Sequence, residues 1–151
     1  MEKVNSDAEI LEFAVYKEIE AYHFYLAVAR RVASQKIRVV LENLAILELG
    51  HKERLELEIL KLGRTVTAAP REVRPDSDYI LSDSNMPLDM DDKDVLLLAM
   101  EKEQASFRTY VNMVANVQDP ESRELLLGLA EEEIRHKLRF EAEYEELLGG
   151  A

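Results

Sequence analysis

The segment Leu44-Ala45-Ile46-Leu47-Glu48-Leu49-Gly50-His51 returns 85 residues later as Leu129-Ala130-Glu131-Glu132-Glu133-Ile134-Arg135-His136. Each copy places one Glu and one His three residues apart within apolar residues at helical spacing. Extending outward at the same offset, residues 11–62 lie on 96–147 without a gap, with seventeen identities. Among them are Ala14/Ala99, Lys17/Lys102, Glu18/Glu103, Tyr25/Tyr110, Arg38/Arg123 and Leu41/Leu126. One unit is therefore used twice. Two copies of one unit pack best around a pseudo-two-fold axis, which makes equivalent side chains face each other across the core.

The unit reads as a helical hairpin. Ser6 and Glu9 form a capping box ahead of Leu11, Ala14, Val15, Glu18, Ala21, Tyr22, Tyr25 and Val28, which predicts a first helix over 6–34. A short connection through Ser34-Gln35-Lys36 leads to a second helix over 37–62, with Ile37, Leu41, Leu44, Glu48, His51, Leu55 and Ile59 on one face and Gly63 as its C′ stop. Asp91 or Asp92 caps a third helix over 92–117. Asp119-Pro120 makes the next turn, with Pro at or near the first helical position of a fourth helix over about 121–148. Between the hairpins, residues 64–91 hold Pro70, Pro75 and Pro87 and lose the helical period. A loop this long is unusual within a compact domain. Val73, Tyr79, Ile80, Leu81 and Met86 give it residues that can pack, and its length lets it cross from one end of a bundle to the other. The expected fold is all-α: a four-helix bundle of two antiparallel hairpins joined by a long crossover, with residues 1–151 forming one domain.

Composition narrows the function. The chain has 151 residues, a formal charge of −12 and no Cys. Disulfides, Cys-ligated zinc and iron–sulfur clusters are excluded on this chain. The negative charge argues against nucleic acid or an anionic membrane as partner and suits cations. Met1 to Ser6 offer no apolar core for a signal peptide, and the longest apolar run, Val95 to Met100, is far too short to cross a bilayer. A cytoplasmic protein is expected.

The repeated leucines are core positions, Leu62 and its partner Leu147 included. Lys52, Arg54, Glu56 and Glu58 with their counterparts read as a solvated face, as mostly do Glu20, Glu101, Glu131 and Glu132, with lining of a metal-ion entry path as the alternative for one of these four. His23 reads as a surface residue. The informative residues are polar ones on the apolar face: Glu18, Glu48, His51, Glu103, Glu133 and His136. Each lies near the middle of its helix, so an aligned bundle collects all six in one layer. Four carboxylates buried together are strongly unfavourable without countercharge. Two divalent cations cancel four carboxylates, and two neutral imidazoles complete the donor set. One Glu from each of two helices and Glu-x-x-His from each of the other two is the ligand pattern of di-iron and di-manganese carboxylate bundles. The donors suit iron or manganese, and zinc can also bind them. A lone Glu-x-x-His carries little weight; two in register, each with its matching Glu, carry much more. Tyr25 and Tyr110 follow Glu18 and Glu103 by two turns. Each reads either as a phenol bonded to a metal-bound carboxylate, with a catalytic role, or as a core tyrosine with a backbone partner.

The segments Ala14–Tyr25 and Leu44–His51, with their repeats Ala99–Tyr110 and Leu129–His136, resemble the rubrerythrin and bacterioferritin branch of the ferritin-like superfamily. The resemblance covers all four helices. It implies a non-haem di-iron site, with Glu18 and Glu103 as terminal ligands, Glu48 and Glu133 bridging, and His51 and His136 each holding one iron. It implies an oxidoreductase reducing peroxide or O2, supplied by an external, rubredoxin-like electron donor, in a homodimer or larger homo-oligomer. The chain departs from rubrerythrin in having no Cys-ligated iron domain, and in carrying Ser106 where rubrerythrin has an extra Glu. Leu49 stands where bacterioferritin has its haem-binding Met, so no haem is expected. A ferroxidase feeding an iron store is the alternative, ranked lower because no fifth helix follows the fourth. A metal-free helical scaffold is the third reading.

Overall fold

The computed structural model describes residues 6–64 and 91–149. They form four helices and no strand: α1 (Asp7–Ala29), α2 (Gln35–Lys61), α3 (Asp92–Asn116) and α4 (Pro120–Gly149). The starts of α1 and α3 are 85 residues apart, as are those of α2 and α4. The sequence repeat is thus a structural one. Apart from its end residues, the expected crossover over 64–91 lies outside the described residues, as do Val73, Tyr79, Ile80, Leu81 and Met86.

Local chemistry sets the helix ends. Ser6 accepts from the Glu9 N–H at 3.1 Å while Glu9 accepts from the Ser6 N–H at 3.0 Å, the reciprocal capping box. Asp91 caps α3 through the Asp94 N–H at 2.9 Å, and Asp119 caps α4 through the Ser122 N–H at 2.8 Å, with Pro120 in the first helical position. At the end of α2, Gly63 takes a φ of 87°. The Arg64 N–H reaches the Ile59 carbonyl at 3.3 Å and the Gly63 N–H that of Leu60 at 2.9 Å. Those two bonds are a Schellman motif, and Gly enters its left-handed position without a Cβ penalty.

One boundary differs from expectation. The first helix ends at Ala29, not residue 34, and the second begins at Gln35. Ser34 sets the start of α2, since its side chain accepts from the Ile37 N–H at 3.2 Å and caps that helix; α1 has already closed at its C-cap, Arg30, whose N–H bonds the Leu26 carbonyl at 3.0 Å. A residue used that way has extended backbone, here with φ −76° and ψ 123°, and cannot also continue α1.

Cross-helix contacts define the topology. Asp7, Glu18 and Tyr25 of α1 meet residues 118–119, Tyr110 and Glu103 respectively, so α1 and α3 run antiparallel. Lys36, Arg54 and Lys61 of α2 meet Glu146, Glu132 and Glu121, so α2 and α4 also run antiparallel. Asp7 further accepts from the Gln118 and Asp119 N–H groups at 3.0 and 2.8 Å, tying the start of α1 to the α3–α4 turn.

The apolar core is divided. One cluster gathers Tyr25, Val28, Val32, Leu41, Leu44, Ala45, Leu96, Ala99 and Phe140 with their neighbours. The other holds Tyr110, Met113, Val117, Leu126, Leu129, Ala130, Leu11, Ala14 and Leu55, their partners under the 85-residue shift in the same order. The repeat therefore exchanges the two ends of the bundle, and its pseudo-two-fold axis crosses the helices at the layer between the clusters. Not every repeated leucine is core: Leu62 is partly buried, but Leu147 is 42% exposed in the last turn of α4. Glu58, expected on the solvated face, is buried and accepts from the Ser122 hydroxyl at 3.0 Å. Its neighbour Lys52 does form the expected surface pair, with Glu56 at 2.9 Å.

Leu41 and Leu126 are repeat partners at opposite ends, both essentially inaccessible to solvent. Leu41→Ala and Leu126→Ala are each expected to lower unfolding free energy by about 2–5 kcal/mol in denaturant titrations. Leu147→Ala should change it by less than about 0.5 kcal/mol.

Candidate metal centre

The layer between the apolar clusters holds all six polar residues that the sequence placed on inner faces. Glu18, Glu48, His51, Glu103 and Glu133 are buried, and the His136 side chain is 12% exposed. Their donor atoms fall into two groups, each within 4.8 Å: Glu18, Glu48, His51 and Glu133, and Glu48, Glu103, Glu133 and His136. Glu48 and Glu133 belong to both. Glu18 with His51, and Glu103 with His136, belong to one each.

The geometry is close to symmetric. His51 Nδ1 lies 3.3 Å from Glu18 and 3.2 Å from Glu48. His136 Nδ1 lies 3.2 Å from Glu103 and 3.3 Å from Glu133. The imidazoles stack with centroids 5.9 Å apart and planes 7° from parallel. The tyrosines cross between hairpins. Tyr25 donates to Glu103 at 2.6 Å, and Tyr110 donates to Glu18. Each phenol therefore has a carboxylate partner from the other hairpin, not a backbone one.

Electrostatics make the cluster costly as a purely protein assembly. Burial, followed by the charges of Glu133, Glu18 and Glu103, pushes the Glu48 carboxyl well above the ordinary range. Burial, then Glu103 and Glu18, does the same to Glu133. Burial and the neighbouring carboxylates also raise both tyrosines, so they remain protonated donors. Burial opposes ionisation of Glu103 as well, but hydrogen bonding to His136 and neighbours leaves its carboxyl below the usual value. Both oxygens of Glu48, Oε1 of Glu18 and Oε1 of Glu133 are buried without a hydrogen-bond partner. Native interiors seldom leave such acceptors unmet unless an ion or water serves them. These inward, unmet oxygens together with two imidazole nitrogens are donors fitted to a pair of divalent cations.

Single-helix reading missed what lies behind His51. Glu132, expected on the solvated face, accepts from His51 Nε2 at 2.8 Å and from Arg54 Nη1 at 2.9 Å. The available signal was its place next to Glu133, on the helix facing His51, since a metal-binding imidazole commonly gives its outer nitrogen to a carboxylate. Glu20, also expected on the solvated face, is partly buried and pairs with Lys17 at 3.0 Å, and His23 is exposed.

A cavity of about 130 Å³ between α1 and α3 reaches this layer. Its inner wall includes Glu18 and Tyr110; Ser106 and Thr109 also line it, and exposed Glu101 and Ala105 stand at its outer edge. The repeat puts Ala21 and Phe24 where Ser106 and Thr109 stand, and Phe24 is buried. Among the described residues, no helix is long and apolar enough to cross a membrane.

Comparison with solved structures supports the bundle. A hypothetical protein from Pyrococcus furiosus matches with a TM-score of 0.67 and 25% identity, over 95% of this chain and 90% of that one. The Desulfovibrio desulfuricans bacterioferritin, described with a diiron site in different catalytic states, matches with a TM-score of 0.67 and 17% identity, over 93% and 79%. KatB, a manganese catalase from Anabaena, matches with a TM-score of 0.65 and 19% identity, over 97% and 77%. No curated protein matches the sequence. The Rubrerythrin family profile matches residues 9–144, a span that takes in every residue of the polar layer. By that match the chain belongs to the rubrerythrin family.

Proposed function

We propose that this chain, taken as one ferritin-like domain, is a non-haem di-iron oxidoreductase that reduces peroxide or O2. The observation that carries the reading is the sharing of Glu48 and Glu133 between two donor groups, with buried oxygens that no protein group satisfies. In this assignment Glu48 and Glu133 bridge, Glu18 and Glu103 are terminal ligands, and His51 and His136 hold one ion each. Iron is the proposed metal, with manganese or zinc as alternatives that the donors also accept. When bound, a pair of Fe(II) ions supplies two electrons to the oxidant, and an external donor restores them.

The chain's own residues do the rest. Four carboxylates neutralise the charge of two cations and hold them together. Tyr25 and Tyr110 orient the two terminal carboxylates by hydrogen bonding and keep a proton at the edge of the site. The α1–α3 cavity has the size for a small oxidant, and Ser106 and Thr109 leave it open on the Glu18 side. The apolar clusters on either side exclude bulk water. Ile46, Leu57 and Leu60 are each more than half exposed along α2, which supports association into a homodimer or larger homo-oligomer. A dimeric mass favours the redox reading, and a 24-subunit shell would favour ferroxidase and storage instead.

Anaerobic titration should find about two Fe(II) per chain. Peroxide or O2 should then oxidise both. Glu48→Ala and His136→Ala should each lose the paired site and the rapid oxidation. Wild-type protein that takes up no iron would refute the assignment.

The titration behaviour gives a second expectation. Between the ordinary carboxylate value and their raised values, Glu48 and Glu133 keep protons in the folded chain that the unfolded chain has released. That contribution makes metal-free stability fall as pH rises through the window. His51 acts in the same direction: burial lowers its pKa, but Glu18 and Glu132 outweigh burial and raise it, so its contribution is lost as pH rises through the folded value. Glu103, with its lowered pKa, acts below the ordinary carboxylate value and outside this window. Cations displace the protons on the ligands, so binding strengthens as pH rises. The rise in Tm on adding Mn(II) should therefore be larger at about pH 8 than at about pH 5. Equal increments at both would contradict the displacement of ligand protons.

A further inference from the structure

The duplication provides an internal comparison of the two halves of the centre. Behind His51 stands an ordered chain: Nε2 at 2.8 Å from Glu132, whose other oxygen is 2.9 Å from Arg54. The 85-residue shift carries Arg54 onto Arg139, so the arginine is kept, but Glu132 corresponds to Leu47. Leu47, Asn43, His136 and Arg139 line one cavity of about 20 Å³ on the far side of the layer, and the side-chain bond of His136 runs through Nδ1 to Glu103, not to Asn43. A leucine offers no acceptor to an imidazole nitrogen. The exposures differ accordingly, 2% for the His51 side chain and 12% for that of His136.

A carboxylate on the outer nitrogen fixes the tautomer and the orientation of the ring and raises its basicity toward a metal on the inner nitrogen. Here that inner nitrogen is Nδ1 in both halves. Resting on the di-metal reading above, we propose that the two cation positions are unequal in affinity. The position held by Glu18 and His51 binds tightly. The position held by Glu103 and His136 binds more weakly, because Leu47 replaces the acceptor. Glu132 and Arg54 are positioning residues; neither touches the metal. The centre thus has one resident and one exchangeable divalent cation.

Stepwise anaerobic titration of the full chain with Co(II), read by absorption and by competition with a chelator, tests this without turnover. Wild type should show two binding steps separated by about 10–100-fold in affinity. His136→Ala should retain the tighter step, and His51→Ala should lose it. Glu132→Leu should weaken the tighter step toward the other, and Glu132→Gln, which keeps an acceptor oxygen, should recover part of it. Leu47→Glu, at an exposed position beside Arg139, should strengthen the weaker step toward the tighter one. This variant keeps the test decisive even if Glu132→Leu fails to fold. Two equal steps in wild type, or no effect of Leu47→Glu, would overturn the inference while leaving the di-metal centre in place. No Co(II) binding by wild type would overturn both.

Discussion

The structure depends on a charge balance at its middle. Four carboxylates from four helices converge in a layer sealed above and below by apolar side chains. In a low-dielectric interior their mutual repulsion and lost hydration are severe. Burial and mutual repulsion push the Glu48 and Glu133 carboxyls upward, toward their protonated forms, and hydrogen bonds from both tyrosines and contacts with both histidines relieve part of the rest. Several oxygens remain unmet even so. The layer costs stability, and such a cost is commonly concentrated where a protein performs chemistry. Sequence composition alone would not suggest this arrangement, because most glutamates in an acidic chain are solvated.

The layer survives because the rest of the bundle holds its geometry. Its two apolar clusters are related by the repeat, and each side of the site meets nearly the same packing. The crossed contacts of Tyr25 with Glu103 and Tyr110 with Glu18 join α1 to α3 at the layer itself. Salt bridges and hydrogen bonds along α2 and α4 join the other pair, and Asp7 ties one end. The carboxylates are thus positioned by helices, with side-chain bonds between hairpins adjusting their orientation, and do not rely on loops.

Much of this was legible in the residues. The Ser6/Glu9 capping box, the Gly63 stop, the Asp119-Pro120 turn and the six inward polar residues follow from local chemistry and helical period. The 85-residue repeat then supplied long-range information that a single helix cannot give. Legibility failed where one element's role is decided by another. Ser34 stands between two helix-forming runs in sequence, and its bond to the Ile37 N–H shows that it belongs to the second. Glu58 reads as a surface residue until Ser122, replacing the repeat's Ile37, opposes it. Glu132 reads as solvated until the imidazole of α2 reaches it. Leu147 has the right period but lies in the last turn of α4, past Tyr144 and away from the apolar cluster, and is exposed.

A two-fold site assembled from separate identical subunits must keep its halves the same, since any change in the gene appears on both sides at once. Covalent tandem arrangement removes that obligation. Here the twin segments retain the six polar residues of the layer while differing at Leu47 and Glu132, and at Phe24 and Thr109. One half can be tuned for retention or entry while the other continues to hold the assembly, a division of labour that strict symmetry forbids.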